Sequence, residues 1–203
     1  MNTTDSYKTI ATPSEVILFK EKNSKFFGYA FPITCENEIK TLIEPLRKKH
    51  FNAVHFCYAF QTGSTLVHYR VNDDGEPSNS AGIPIYGQIH SFGLTNILVV
   101  IVRYFGGTKL GVGGLVPAYK TAAQLTLESA TIIEKTIDVH YIISFEYKNI
   151  NKVMRVIKEK NAAIIYQKME LGCEIEIATR KKNAEILFEA FNSMFEINIK
   201  EKE

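Results

Sequence analysis

The chain has 203 residues, of which 45% are hydrophobic and 23% are charged, and its formal net charge at pH 7 is +2. These are ordinary values for a globular protein, and the length allows one domain or two modest ones. A net charge of +2 is too small for a general polyanion binder, so any nucleic-acid site must come from local clustering of Lys and Arg.

The cysteines, the N-terminal segment and the apolar runs of the sequence indicate where the protein is located. Three cysteines without zinc-ligand spacing predict neither a disulfide framework nor a zinc site. The start, MNTTDSYKTI, lacks the basic segment and apolar core of a secretory signal. The most apolar run, Ile97 to Val102, is far too short to cross a bilayer. We therefore expect a cytoplasmic protein that does not enter a membrane.

The first two thirds of the chain mix the periodicities of strands and helices. Pro45, inside the predicted helix of residues 36–50, is expected to kink that helix or end it early. Pro117 fits the first turn of the predicted helix of residues 115–130. The predicted elements are strands over 16–21 and 26–33 with a polar turn between them, a helix over 36–50, a hairpin of 53–61 and 66–71, a loop over 72–84, a short helix over 85–92, a strand over 96–105 buried on both faces, and a helix over 115–130.

The remainder of the chain has a different order of strand and helix periodicities. Its predicted order is strand, helix, strand, strand, helix and strand, which is the ferredoxin-like arrangement. We place the domain boundary between a first domain of residues 1–134 and a second of residues 135–203. The elements of the second are a strand over 138–147, a helix over 149–160, a strand over 163–169, a tight turn at Leu171-Gly172, a strand over 173–179, a helix over 183–194 and a strand over 196–200.

The most unusual segment is GGTKLGVGGL, residues 106–115, which contains five glycines. A strand, glycines and then a helix present backbone N–H groups and a positive dipole end to an anion. The alternative is that the glycines only allow a tight turn and close packing. Neither Walker A nor GxGxxG fits, so no cofactor is predicted. The candidate anion-binding and nucleic-acid-binding residues are Arg103, Gly106, Gly107, Lys109, Gly111, Gly113, Gly114 and Lys120, with Lys22 and Lys25 extending the surface.

A second candidate lies in the loop before residue 85. Asp73, Asp74 and Glu76 are three acids within four residues, and such carboxylates can bind Mg²⁺ or serve as acid and base. The alternative is a solvated turn in which an Asp caps the backbone. Exposed aromatic residues beside cations would also suit single-stranded RNA, and the candidates are Tyr104-Phe105 beside Arg103 and Phe26-Phe27 beside Lys25. Both pairs lie in predicted strands, where the preferred alternative is that at least one residue of each pair packs in the core.

Four motifs carry a family resemblance. They are an acidic DDGEP loop, an apolar strand ending in Arg-aromatic-aromatic-Gly-Gly, the pattern Leu-Gly-x-Gly-Gly-Leu, and a helix with Ala-Tyr. Here they are Asp73 to Pro77, Val99 to Gly107, Leu110 to Leu115, and Ala118-Tyr119. Together with KNSKFFGYA and VHFCYAF upstream, they resemble the IMPACT (YigZ) family, in its bacterial two-domain form.

The resemblance covers essentially the whole chain and implies an α+β fold. It implies a first domain similar to domain IV of elongation factor G and to ribosomal-protein domains. The second domain is implied to be ferredoxin-like, similar to another elongation-factor domain. Eukaryotic members regulate translation under starvation by competing for an activator of an initiation-factor kinase. An extra N-terminal domain carries that activity, so the mechanism is not carried over to this chain.

Three functions follow, in order of preference. The first is a translation-associated protein that binds RNA or the ribosome through the basic glycine-rich loop. The second is a regulatory module for a protein partner in translation control, with the loops as structural turns. The third is an enzyme acting on a small phosphorylated substrate, with the acidic loop holding a metal or acting as base. Binding is preferred to catalysis, so no catalytic residue, metal or cofactor is assigned, and the oligomeric state is left open.

Overall fold

The computed structural model describes residues 5–170 and 172–202 of the chain. It divides into two compact units, an N-terminal unit of residues 7–135 and a C-terminal unit of residues 136–202 that also includes Asp5 and Ser6. The predicted domain boundary at residues 134 and 135 remains a prediction about independent folding. In the described part of the chain, no helix has the length and apolar character needed to cross a membrane.

The N-terminal unit is built on an antiparallel sheet with helices on both faces. Its five strands lie in the order β2-β3-β6-β4-β5, and β1 and β7 form a separate two-stranded sheet. The elements are β1 (Ser6–Ile10), β2 (Ile17–Glu21), β3 (Ser24–Pro32), α1 (Glu38–Lys49), β4 (His55–Thr62), β5 (His68–Asn72), α2 (Gly82–Ser91), β6 (Ile97–Tyr104), α3 (Gly111–Glu128) and β7 (Ile132–Thr136).

Strand β6 is the centre of this unit and is covered on both faces, as its unbroken apolar run predicts. Because side chains alternate along a strand, Val99 and Ile101 pack in the core formed with α2 and α3. Val100 and Val102 pack on the other face, in the core that includes α1. The position of β6 also places Arg103, which follows on the same face as Ile101.

Of the two predictions made from prolines, the first is wrong in its alternative of an early helix end, and the second is wrong. Helix α1 does not end early at Pro45 but continues to Lys49. Pro45 is exposed, so the carbonyl that it leaves unpaired can be hydrated. Helix α3 begins at Gly111 rather than at Leu115, and Pro117 therefore lies in its second turn, not its first. The low helix propensity of glycine is overridden by the packing of the helix on the sheet.

A buried histidine joins α1 to the sheet. His50 is the residue after α1 and is 6% exposed. Its Nε2 lies 2.6 Å from the hydroxyl of Tyr29, and its Nδ1 lies 2.9 Å from the hydroxyl of Tyr104. Since a neutral imidazole has one donor and one acceptor nitrogen, one tyrosine donates to the ring and the other accepts from it.

The stability of the N-terminal unit is expected to fall as the pH drops from 8 to 5, in part through His50. Burial lowers the pKa of His50 below its ordinary value of 6.5, and the charge of Lys49 adds to the effect. The unfolded chain then binds the proton more readily. The stability that neutral His50 contributes is therefore present above pH of about 6.5 and is lost as the pH falls through the lowered pKa.

Urea unfolding of the chain and of His50→Gln across this pH range measures the effect. The variant should show a smaller loss of stability on acidification, because it has no imidazole to protonate. If the two proteins showed the same pH dependence, His50 would not be coupled to folding.

The C-terminal unit has the predicted β-α-β-β-α-β order. Its four strands form an antiparallel sheet in the order β11-β8-β10-β9, with a core that includes Ile143, Ile175, Val153 and Phe191. The ferredoxin-like prediction is confirmed, although part of the predicted turn at Leu171-Gly172 lies outside the described residues. The elements are β8 (Asp138–Glu146), a 3₁₀ turn (Tyr147–Asn149), α4 (Ile150–Glu159), β9 (Ala163–Met169), β10 (Gly172–Arg180), α5 (Lys181–Asn192) and β11 (Ile197–Glu201).

Candidate functional site

Asp73 of the acidic loop caps helix α2. Its carboxylate accepts hydrogen bonds from the backbone N–H groups of Asn79 (2.9 Å), Ala81 (3.0 Å) and Gly82 (2.8 Å). The N–H groups of Ala81 and Gly82 lie at the start of the helix and have no partner within it. The cap explains why α2 begins at Gly82, three residues earlier than predicted.

Asp74 ties the acidic loop to α1 and β4. Its carboxylate accepts from Nη2 of Arg47 at 3.0 and 3.1 Å and from the backbone N–H of Phe56 at 2.7 Å. Asp73 and Asp74 therefore both act as structural acceptors here. Among the described residues, no group of three or more His, Cys, Asp or Glu side chains is arranged to hold a metal ion.

Glu76 is the acid of this loop that turns inward. Its side chain is 3% exposed. Its Oε1 accepts from Nη1 of Arg103 at 2.7 Å and from the hydroxyl of Tyr119 at 2.8 Å. A buried charge is tolerated only when it is paired and hydrogen-bonded, and this carboxylate has both an ion-pair partner and a neutral donor.

A neutral thiol continues the network behind Tyr119. The Sγ of Cys57 lies 3.2 Å from the hydroxyl of Tyr119 and 3.0 Å from the carbonyl oxygen of Asp73. Burial raises the pKa of Cys57 well above its ordinary range. Burial likewise raises the pKa of Tyr119, with Cys57 and Glu76 adding to the effect. Both groups therefore keep their protons at neutral pH and act as donors.

Arg103 is not the exposed phosphate ligand that the sequence suggests. It is 5% exposed, and its charge is balanced by Glu76. Its Nη2 lies 3.4 Å from Oγ of Ser24, and its guanidinium carbon lies 5.7 Å from the ring centre of Phe26 and 5.8 Å from that of Phe105. Its Nε is buried, and no hydrogen-bond acceptor for it is found among the described residues.

The glycines of residues 106–114 have different structural roles. A Cβ at Gly106 would lie 2.1 Å from the carbonyl carbon of Asn23 and 2.3 Å from the nitrogen of Ser24. Only glycine fits against the β2–β3 hairpin at that point, as the packing alternative proposes. Gly113 is different, because a Cβ there would meet no atom within 4 Å and its φ is not positive. Gly107 lies in the loop and Gly114 in the first turn of α3.

The acidic and glycine-rich loops meet at one pocket. It has a volume of about 280 Å³. Glu76 and Pro77 of the acidic loop face the start of α3 across it, whereas Asp73 and Asp74 do not line it. The lining residues are Glu76, Pro77, Arg103, Phe105, Lys109, Leu110, Gly111 and Leu115.

The four candidate lysines are dispersed. Lys109 lines the pocket, and Lys22 is exposed in the hairpin turn that packs against Gly106. Lys25 lies on the opposite sheet face, because it alternates with the inward-facing Phe26. Lys120 is nine residues beyond the start of α3, which is roughly 13 Å along the helix axis.

Several residues of the site were missed by sequence reasoning. The sequence assigns no bonding role to Tyr119, Ser24 or Cys57. Their partners are distant in sequence; Tyr119 and Glu76, for example, are 43 positions apart. The only signal was that Tyr119 falls within the Ala-Tyr motif, which does not by itself distinguish packing from hydrogen bonding.

Comparisons with known proteins agree with the resemblance drawn from the motifs. The family model of the Impact N-terminal domain matches residues 22–127, which include every residue of the pocket. The IMPACT family member YvyE of Bacillus subtilis is 30% identical over 181 residues, covering 88% of this chain and 83% of its own length. The IMPACT family member YigZ of Escherichia coli is 34% identical over 146 residues, covering 71% of this chain and 72% of its own.

A solved structure extends the match to both units. The crystal structure of a hypothetical protein covers 98% of this chain and 98% of its own, with 26% sequence identity and a TM-score of 0.72. A family model that matches the N-terminal unit and relatives that match most of the chain lead to one conclusion: the chain belongs to the IMPACT family.

Proposed function

We propose that this protein binds RNA, free or in the ribosome, through the glycine loop, defined as residues 105–114. The observation that carries the proposal is the start of α3. Its first turn is largely exposed and has no side-chain cap. The N–H groups of such a turn point outward at the positive end of the helix dipole, which is where phosphate oxygens bind.

Two exposed lysines, one in this loop and one in the neighbouring hairpin turn, add positive charge. Lys109 and Lys22 are exposed, and neither has an ion-pair or hydrogen-bond partner within the described residues. Arg103 contributes less than the sequence suggests, because Glu76 neutralises it. The charge available to phosphates therefore comes from Lys109 at the pocket, from Lys22 in the neighbouring hairpin turn and from the helix start.

An aromatic ring lies beside these charges. Phe105 is 48% exposed and follows directly after β6. Exposed aromatic rings beside cations favour single-stranded nucleic acid, because unpaired bases stack on the ring while phosphates bind the cations. This combination favours unpaired RNA over a regular duplex. The family resemblance suggests translation control as the process in which the protein acts.

The catalytic alternative has less support. All three carboxylates of the acidic loop accept hydrogen bonds from the protein, and these bonds cap α2, join α1 to β4 and neutralise Arg103. A general base must be able to reach a substrate proton, whereas these groups are held by other partners. The protein-partner alternative is distinguished by the experiment that follows.

Fluorescence anisotropy of a labelled single-stranded RNA over a series of salt concentrations tests the proposal. The affinity should fall as salt rises, because phosphate contacts release counterions. Lys109→Ala should weaken binding and reduce the slope of log K against log salt by about 0.7. Lys48→Ala is the matched control, since Lys48 is exposed in the same unit but lies on α1.

Two glycine variants in the same experiment test whether RNA binds at the start of α3. Gly113→Ala and Gly87→Ala each add a Cβ to an exposed helical position with no atom within 4 Å. Both should raise the free energy of unfolding by up to about 1 kcal/mol. Only Gly113→Ala should weaken RNA binding, because its methyl group covers the helix start. Binding that is independent of salt, or equal effects of the two alanines on affinity, would contradict the proposal.

A further inference from the structure

We infer that the pocket beside the glycine loop holds one unpaired base of the bound RNA, stacked on Phe105. The inference rests on the proposed function and deepens it by naming the part of the RNA that enters the pocket. Phosphates would then remain outside, at the start of α3 and at Lys109.

The walls of the pocket suit a planar apolar group better than a phosphate. Four of its eight lining residues, Pro77, Phe105, Leu110 and Leu115, have fully apolar side chains. A phosphate placed among them would lose its hydration without replacement. A base has apolar faces and a polar edge, so its faces can contact these walls while its edge stays towards solvent.

The charged groups of the lining do not compete with this apolar contact. Glu76 and Arg103 are buried and paired with each other at 2.7 Å, and Nε of Arg103, which finds no acceptor among the described residues, is itself covered by the protein. The surface that a ligand meets in the pocket is therefore almost entirely apolar. The polar edge of an inserted base would stay towards solvent, where Lys109 is exposed.

The size of the pocket limits the ligand. At about 280 Å³ it lies near the lower end of the range of roughly 300–1,000 Å³ typical of small-molecule sites. That volume takes one ring system and excludes a large cofactor. Lys109 lines the same pocket and is exposed, so the phosphate attached to an inserted nucleotide can meet a cation without entering.

The chain contains no tryptophan, and this permits a direct test with Phe105→Trp. Two hexanucleotide strands are compared, one of uridines and one with the same backbone but abasic at every position. The uridine strand should quench the fluorescence of the introduced indole, and the abasic strand should not. Phe105→Ala should weaken binding of the uridine strand by about 5-fold or more, the range expected for one lost stack, and weaken binding of the abasic strand much less.

Phe51→Trp is the matched control, because Phe51 is 80% exposed in the same unit and does not line the pocket. Its fluorescence should not distinguish the strands. If both strands bind equally and Phe105→Ala has no effect, the base pocket is wrong while the phosphate-binding function stands. If neither strand binds, the proposed function fails and the inference fails with it. N-acetyltyrosine amide is added as a third ligand, because it resembles an aromatic side chain of a protein. If it alone changes the fluorescence of Phe105→Trp, the pocket takes an aromatic side chain of a protein partner instead.

Discussion

Arg103→Ala is expected to lower the free energy of unfolding of the N-terminal unit by about 3–5 kcal/mol, because it leaves a buried carboxylate without its counter-charge. Glu76 has a side chain that is 3% exposed and lies 2.7 Å from Arg103. The hydroxyl of Tyr119 donates to the same oxygen, but one neutral donor does not replace an ion. Urea unfolding measures the loss, and amide exchange of β6 assigns the transition to this unit.

A double variant separates the charge from the packing. Arg103→Met combined with Glu76→Leu removes both ions and keeps similar volumes, so most of the lost stability should return. If Arg103→Ala alone lowered the free energy of unfolding by less than about 1 kcal/mol, the carboxylate would have to be hydrated rather than buried. Recovery in the double variant without recovery of RNA binding would also assign the guanidinium a role beyond folding.

The second large effect is expected from Gly106→Ala, which should destabilise the N-terminal unit by roughly 3 kcal/mol, the upper part of the usual range for overpacking. The new Cβ would lie 2.1 Å from the carbonyl carbon of Asn23. The obstacle is backbone, so no rotamer change relieves it. In the hairpin turn itself Lys22 and Asn23 both have positive φ, 43° and 66°, as in the two-residue turns that match strand twist.

Two comparisons make this prediction specific. Gly87→Ala has free space around its new Cβ and should not destabilise the protein in the same urea experiment. Adding Asn23→Gly to Gly106→Ala should not restore stability, because the contact is with main-chain atoms of residue 23. A full rescue by that second substitution would show that the side chain, and not the close approach of the hairpin, requires glycine at this position.

The sequence by itself determined the elements whose signal is local. The apolar run of β6 predicted a strand buried on both faces, and the alternating and helical spacings after residue 138 predicted the β-α-β-β-α-β order. These patterns are visible because burial imposes a period of 2 or 3.6 on neighbouring residues. The motifs from Asp73 to Tyr119 also indicated the family, and they marked both loops that border the pocket.

Only the tertiary structure decided what the marked residues contact. Asp73, Asp74 and Glu76 look alike in sequence, yet Asp73 caps a helix, Asp74 binds Arg47 and only Glu76 is buried. Arg103 looks like a phosphate ligand, but an acid 27 positions away neutralises it. Gly106 and Gly113 are indistinguishable by composition, and a hairpin some 80 residues earlier constrains the first and not the second. Such partners are brought together by the folding of distant segments, and no periodicity in a single chain records which of them will meet.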